Sequence, residues 1–395
     1  MTDKSSTSTL RITIMIIAIL LTLPGILVKL GIIQNGYGAE ALLFGLGLLG
    51  AALMLSWAAE VSQMDISQGF ALAILAFIAV LPEYAVDMVF AWKAAGDPQM
   101  AHFALANMTG ANRLLIGLGW PMVLIIFFIK TKKKSLALSK EHSTEIFYLI
   151  CATVYAFSIP FKSSLNLIDA AILVAIFVTY IIRTARAEVE EPELVGPAAM
   201  IGSFSTGVRR TWVALLFLYS GFIIFISAEP FAHSLVEFGR EAGIDQFLLV
   251  QWVAPLASEA PEFIVAGIWA SRLQAQAAMG ALISSKVNQW TLLVGTLPVV
   301  YSIASGKVSA LPLDMKQDHE IWLTAGQSIF AVAILCNLKI SWYGAIMLVV
   351  LFMAQLIFSE IRMEVMWIYL LFAAVILLRE RKHLPGLAKI GLKFK

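Results

Sequence analysis

A-P-L-A-S-E-A-P-E, Ala254 to Glu262, sits inside an apolar segment that runs from about Phe247 to Ala270. Two prolines, a serine and two carboxylates interrupt what would otherwise be an ordinary membrane-spanning helix. A carboxylate placed in hydrocarbon costs at least ~2.5 kcal/mol on insertion scales, so it is rarely incidental. Proline lacks the backbone donor and is expected to break the helix, turning freed carbonyls toward a cavity. A broken helix with acids at the break is how membrane transporters build a cation site near the midplane.

The surroundings of this stretch are of the same kind. The chain has 395 residues, 60% of them hydrophobic and only 14% charged, and its mean hydropathy is +0.85. Soluble globular proteins are nearer a quarter charged, so composition indicates a polytopic membrane protein. Cys151 and Cys336 both fall in apolar runs and read as small buried hydrophobes, with no disulfide framework. The first run, Ile12 to Leu30, follows Lys4 and Arg11 but lacks a small-x-small cleavage site. It reads as an uncleaved span rather than a signal peptide.

Twelve apolar runs are long enough to cross the bilayer, at about 11–30, 39–59, 69–93, 99–130, 145–161, 165–183, 211–228, 246–271, 274–303, 320–338, 341–359 and 364–379. Trp57, Trp92, Trp212, Trp322 and Trp342 lie near their ends, where interfacial aromatics gather. With both termini in the cytoplasm, nineteen lysines and arginines face inward and seven outward. That bias fixes the expected orientation. The expectation is a cell inner membrane protein, multi-pass, with both termini cytoplasmic. The one long internal loop, Thr184 to Val208, carries Glu188, Glu190, Glu191, Pro192, Glu193 and Pro197 and reads as a solvated linker between two halves.

The first half contains a mirror of the opening stretch. Asp65 to Glu83 and Gly243 to Glu262 each pass from Ile-x-Gln through an apolar run to Pro-Glu. Each is followed by a span with polar residues near its start, A-N-M-T-G-A-N-R (Ala106 to Arg113) and G-A-L-I-S-S-K-V-N-Q (Gly280 to Gln289). The copies are five spans apart. An odd offset gives them opposite orientations, so they form an inverted-topology repeat, with the site expected at the repeat interface.

Duplicated Pro-Glu followed by a G-N-x-x-G-S-N-type segment resembles the α-repeats of the calcium/cation antiporter superfamily, which includes the sodium/calcium exchangers. The resemblance covers about 36–130 and 212–303. It implies an all-α polytopic membrane protein of about twelve helices: two inverted repeats of five core helices, with an extra helix at each end. The division that follows is an extra N-terminal helix (1–35), a first exchanger half (36–183), a cytoplasmic linker (184–209), a second half (210–360) and an extra helix with a basic tail (361–395). Glu83 and Glu262 match the family's cation-binding acids, and Asn107, Gly110 and Asn112 match the neutral positions that follow the first. In the second repeat Gly280, Ser284 and Ser285 match. The chain departs from the pattern at Ala79 and Val80, where hydroxyl ligands are lost, at Glu259, at Ala281, at Lys286 (in place of the last Asn) and at Arg113.

The expected cation-binding set is therefore Glu83, Glu262, Asn107, Ser258, Glu259 and Asn112, with Glu83 and Glu262 as metal ligands through oxygen. Glu83 and Asp87 are spaced i,i+4 and Glu259 and Glu262 i,i+3, so each pair shares a helix face. Lys286, Arg113 and Asp87 are expected to compensate or couple charge, Lys286 beside Glu259 and Arg113 beside Asp87. Lys286 reads as a tethered cation, as a lysine that loses its proton during the cycle, or as a structural tie. Gly45, Gly47 and Gly50 suggest close helix packing. The function implied is secondary-active antiport by alternating access, with Na+, Ca2+ and H+ as candidate ions. No cofactor and no nucleic acid is expected, the partners being membrane lipid and the transported cations, and a monomer suffices. The competing classes are an intramembrane acid-dependent enzyme and a cation channel. The enzyme's Tyr-Asp and Gly-x-Gly-Asp motifs are missing.

Overall fold

The computed structural model describes residues 2–65, 81–184 and 194–392. Ile66 to Val80, with the departures at Ala79 and Val80, and the linker acids Glu188 to Glu193 lie outside the described residues.

The described chain is helical apart from two short ribbons. The helices are α1 (Thr2–Lys29), α2 (Tyr37–Ser62), α3 (Leu81–Lys93), α4 (Gln99–Thr131), α5 (Ser143–Ala156), α6 (Leu167–Thr184), α7 (Gly196–Gly202), α8 (Thr206–Ala242), α9 (Gln246–Ser271), α10 (275–304), α11 (Met315–Leu335), α12 (Trp342–Ile357), α13 (Arg362–Arg379) and α14 (Leu384–Leu392). Among the described residues, seven helical segments are long and apolar enough to cross a membrane by length and composition: those in α1, α2, α4, α6 and α8, and the segments Lys140–Lys162 and Ser359–Arg379 around α5 and α13. The protein is a polytopic membrane protein. Its chain forms two compact units, Met1–Val89 with Thr184–Pro261, and Phe90–Arg183 with Glu262–Lys395. Each unit draws on both sequence halves.

In the first unit α2 packs along α8 and α1. Small residues allow it: Gly45 faces Phe231, Gly47 faces Ser227, and a Cβ added at Gly50 would lie 2.4 Å from the Ala18 carbonyl oxygen. Backbone cannot move aside as a side chain can, so G50A forces α1 away from α2. Overpacking of this kind costs about 1–3 kcal/mol. G50A is expected to lower the Tm in detergent, while G221A, with open space around it, leaves the Tm unchanged. A G50A protein melting with wild type would remove the packing argument. Thr22 and Tyr219 hydroxyls share a 2.6 Å hydrogen bond, and Ser234 donates to Glu40 at 3.1 Å.

Two expectations change here. Trp57 is 5% exposed, packed with Met54, Val61, Ala198 and Ile201, rather than interfacial. The linker is not all loop, because α7 buries Ala198 and Ile201 against α1 and α2. Pro197 at its first turn suits a helix start, where the missing N–H has no intrahelical partner. Beyond α2, Arg209 grips Asp65 with two bonds of 2.7 Å, and Arg210 adds a third of 3.3 Å. The Arg209 hydrogen bonds hold the Asp65 carboxyl below its ordinary value.

In the second unit α11 packs on α13, α5 and α4. Two antiparallel ribbons strap it. Ser135–Ala137 (β1) pairs with Lys339–Ser341 (β4), and Ser164–Leu165 (β2) pairs with Leu311–Pro312 (β3). β1 and β3 follow corresponding helices of the two halves, and so do β2 and β4, so each ribbon ties one half to the other. Asp314 then starts α11 with a capping box on Gln317.

The opening stretch also behaves differently from its reading. α9 runs unbroken from Gln246 to Ser271 with Pro255 and Pro261 inside it. Each proline deletes only one bond of the ladder, so the carbonyls of Gln251 and Ala257 lose their i+4 donors while the turns on either side persist. Ser258 Oγ bonds the carbonyls of Ala254 and Pro255 at 3.4 and 3.3 Å. That hydroxyl works within its own helix.

Candidate functional site

Each unit carries buried polar groups of a kind that hydrocarbon tolerates only with partners. In the first unit Glu83 is 1% exposed and Asp87 is fully buried, with Tyr84 between them on α3. On α9, Glu259 is 2% and Ser258 7% exposed. Glu60 on α2 is a further buried acid of this unit, one that sequence reasoning did not single out.

In the second unit Asn107, Asn112, Arg113 and Lys286 are all fully buried, and Glu262 is half-buried. Here the two repeats meet. Asn112 and Lys286 occupy the same position in their respective copies, and Lys286 Nζ donates to Asn112 Oδ1 at 2.7 Å. The other end of that amide donates to the Met108 carbonyl at 2.8 Å. The ammonium also stands over the Trp290 ring, 4.4 Å from its centroid. Three residues past Asn112 the helix widens into a π segment, Leu115–Gly119, and three residues past Lys286 it does so again, Gln289–Leu293. π segments inside α-helices often mark functional sites. These two are repeat counterparts, and a close approach accompanies the first: a Cβ at Gly117 would lie 2.3 Å from the Phe352 ring. Of the other polar candidates, Ser284 shares a 2.7 Å bond with Tyr180, and Ser285 accepts from Gln289 at 3.4 Å.

Arg113 has partners that sequence reasoning missed. Its Nη2 bonds Glu320 Oε2 at 2.5 Å and its Nη1 bonds Gln355 at 3.1 Å. The other oxygen of Glu320 takes Arg362. Gln327 donates to the Arg113 carbonyl at 3.3 Å, and Gln355 reaches Tyr369 at 3.5 Å. One carboxylate thus bridges two guanidiniums, all three 8% exposed or less, and joins α4, α11 and α13, while Gln355 brings in α12. Arg362, which lies between the last two apolar runs of the sequence, is buried. The signal available beforehand was Gln327 and Gln355 inside apolar runs, since such polar residues mark interior faces.

A model of the sodium/calcium exchanger protein family matches residues 37–185 and 212–360. No curated protein matches the chain. Among solved structures, the H+/Ca2+ exchanger CAX is 45% identical over 96% of this chain and 98% of its own, with a TM-score of 0.92. The YfkE structure is 14% identical over 86% of this chain and 98% of its own, with a TM-score of 0.64. The sodium-calcium exchanger NCX_Mj is 17% identical over 81% and 98%, with a TM-score of 0.54. At such low identity these last two speak for the fold alone. Two matched segments, one in each half and together covering most of the sequence, agree with the inverted Pro-Glu repeats, and the chain belongs to the sodium/calcium exchanger family of the calcium/cation antiporters.

Proposed function

We propose that this protein is a secondary-active antiporter that exchanges Ca2+ for protons across the cell inner membrane by alternating access. The observation that carries this reading is the buried Glu83 on a Pro-Glu turn whose repeat counterpart is Glu262. An acid at 1% exposure in a membrane helix is retained where it binds a cation or a proton. A hard divalent cation takes oxygen ligands. Glu83 and Glu262 are the acids assigned to it, with Asn107, Ser258 and Glu259 as supporting oxygens and Asp87 as a charge-compensating neighbour. The 45% identity with a protein named an H+/Ca2+ exchanger favours Ca2+ over Na+ as the exchanged ion.

The protein works as a transporter rather than an enzyme, with lipid and inorganic cations as its partners. No cofactor enters the cycle. Twelve crossings would put both termini on one side, the lysine and arginine bias favours the cytoplasm for that side, and a single chain holds both repeats, so a monomer suffices. The test is a proteoliposome with an imposed acid-inside pH gradient. External CaCl2 is expected to collapse the gradient, and NaCl and KCl are not. A gradient collapsed by NaCl alone would make Na+ the exchanged ion. A gradient that no cation dissipates faster than in protein-free vesicles would end the antiporter reading.

A further inference from the structure

Lys286 is a charged side chain on the line where the repeats face each other. The residue that meets it is its own repeat counterpart, Asn112, so the Asn112–Lys286 pair marks the pseudo-twofold relation of the two copies within the second unit. In a symmetric protein both positions would carry the same side chain. Here one of them supplies a cation and the other an oxygen.

The chemistry around the ammonium is that of a small cation receptor. A carbonyl oxygen lies 2.7 Å from the nitrogen and an aromatic face 4.4 Å from it. Lys286 and Asn112 are fully buried, and Trp290 is 2% exposed. Cation–π attraction is strongest at desolvated sites of this kind, and Trp offers the best face. The Asn112 amide is held by its bond to Met108, so its oxygen stays aimed at the ammonium. We infer that the Asn112–Trp290 pocket is a built monovalent-cation site which Lys286 fills with its own tethered ammonium, so that vacating the lysine opens the site to a free monovalent cation.

Two consequences follow. Asn112 then serves this pocket rather than the transported ion. The exchanger also holds a tethered side chain where a co-transported monovalent ion would need room, which sets it against Na+ as the exchanged cation. This second consequence rests on the antiporter reading; the pocket itself does not.

The test uses the full chain in detergent, without transport. K286A and K286S both vacate the pocket, the serine leaving a hydroxyl that can bond Asn112. K286M fills the pocket with an uncharged chain of similar length. Melting is followed in methylammonium, K+ or Na+ chloride against choline chloride at equal ionic strength. A ligand that binds only the folded state raises its Tm saturably. The vacated variants are expected to gain roughly 3 to 6 °C at saturating methylammonium or K+, the size set by chain length and a ligand at about 100 times its Kd. Wild type and K286M are expected to gain nothing beyond the choline control. Equal responses in K286A, K286S and K286M would overturn the inference, and so would a wild-type response as large as theirs. E83Q, assayed separately for exchange, reports on the antiporter reading, and the melting series reports on the pocket.

Discussion

E83Q and E262Q are each expected to abolish pH-gradient-driven Ca2+ flux while leaving the protein folded in the membrane. Glutamine matches glutamate in shape and keeps one carbonyl oxygen, so packing survives. It has no charge to offer a divalent cation and no proton to give up. Truncating one partner of a buried charge pair costs about 2–5 kcal/mol, or roughly 30- to 5000-fold in affinity. Exchange needs the cation to bind from both sides, so the flux falls at least that far. Stability is the second readout. Glu83 is 1% exposed, and glutamine keeps its shape and one of its oxygens in that place. The pair of readouts is what makes the prediction sharp: a Tm at or above wild type together with lost flux marks a functional acid, whereas a fallen Tm marks a structural one. Near-wild-type flux from both variants would withdraw the assignment of these acids.

Much of the architecture could be read before any coordinates, because membrane crossing writes itself into composition. Every apolar run carries helix in its described part. The repeats were legible because Pro-Glu and the polar segments after it recur in the same order. Two kinds of information were not legible. The first is how a local breaker acts in context: Pro255 and Pro261 stand within α9, and the helix continues through both. The second is long-range pairing. The i,i+3 and i,i+4 spacing of acids gives a shared face but names no partner across 207 residues, which is what separates Arg113 from Glu320. Repeat comparison could not supply it either. Glu145 follows Ser139 as Glu320 follows Asp314, but the counterpart of Arg113 is Val287. The bridge is therefore built on one side of the symmetry only. Asn112 and Lys286 are the opposite case, since aligning the repeats pairs them and the structure puts them in contact.

The Arg113–Glu320–Arg362 bridge gives the second large effect, on stability. E320Q is expected to destabilise the protein by about 3–5 kcal/mol, because it strips the shared counter-charge from two guanidiniums at once and leaves them buried. With all three side chains 8% exposed or less, little water reaches the place of the lost oxygen. E320A adds a cavity and is expected to cost more. The sign reverses in the logic of the whole network. Burying three charges is costly to begin with, so replacing all of them together, as R113M with E320L and R362M, is expected to cost less than E320Q alone. Denaturation midpoints of these proteins in one detergent decide the matter. If the triple variant is less stable than E320Q, the bridge contributes net stability and the desolvation argument fails. If E320Q melts with wild type, the two arginines have compensation elsewhere and the bridge is not what holds α4, α11 and α13. The outcome also bears on the pocket one residue away. Arg113 follows Asn112 on the same turn, and its guanidinium is fixed by Glu320 and Gln355. Losing Glu320 removes the shortest of the side-chain ties on that turn of α4. E320Q is then expected to weaken the hold of Asn112 on Lys286, whereas R362M, which leaves Glu320 to Arg113, is expected to keep it.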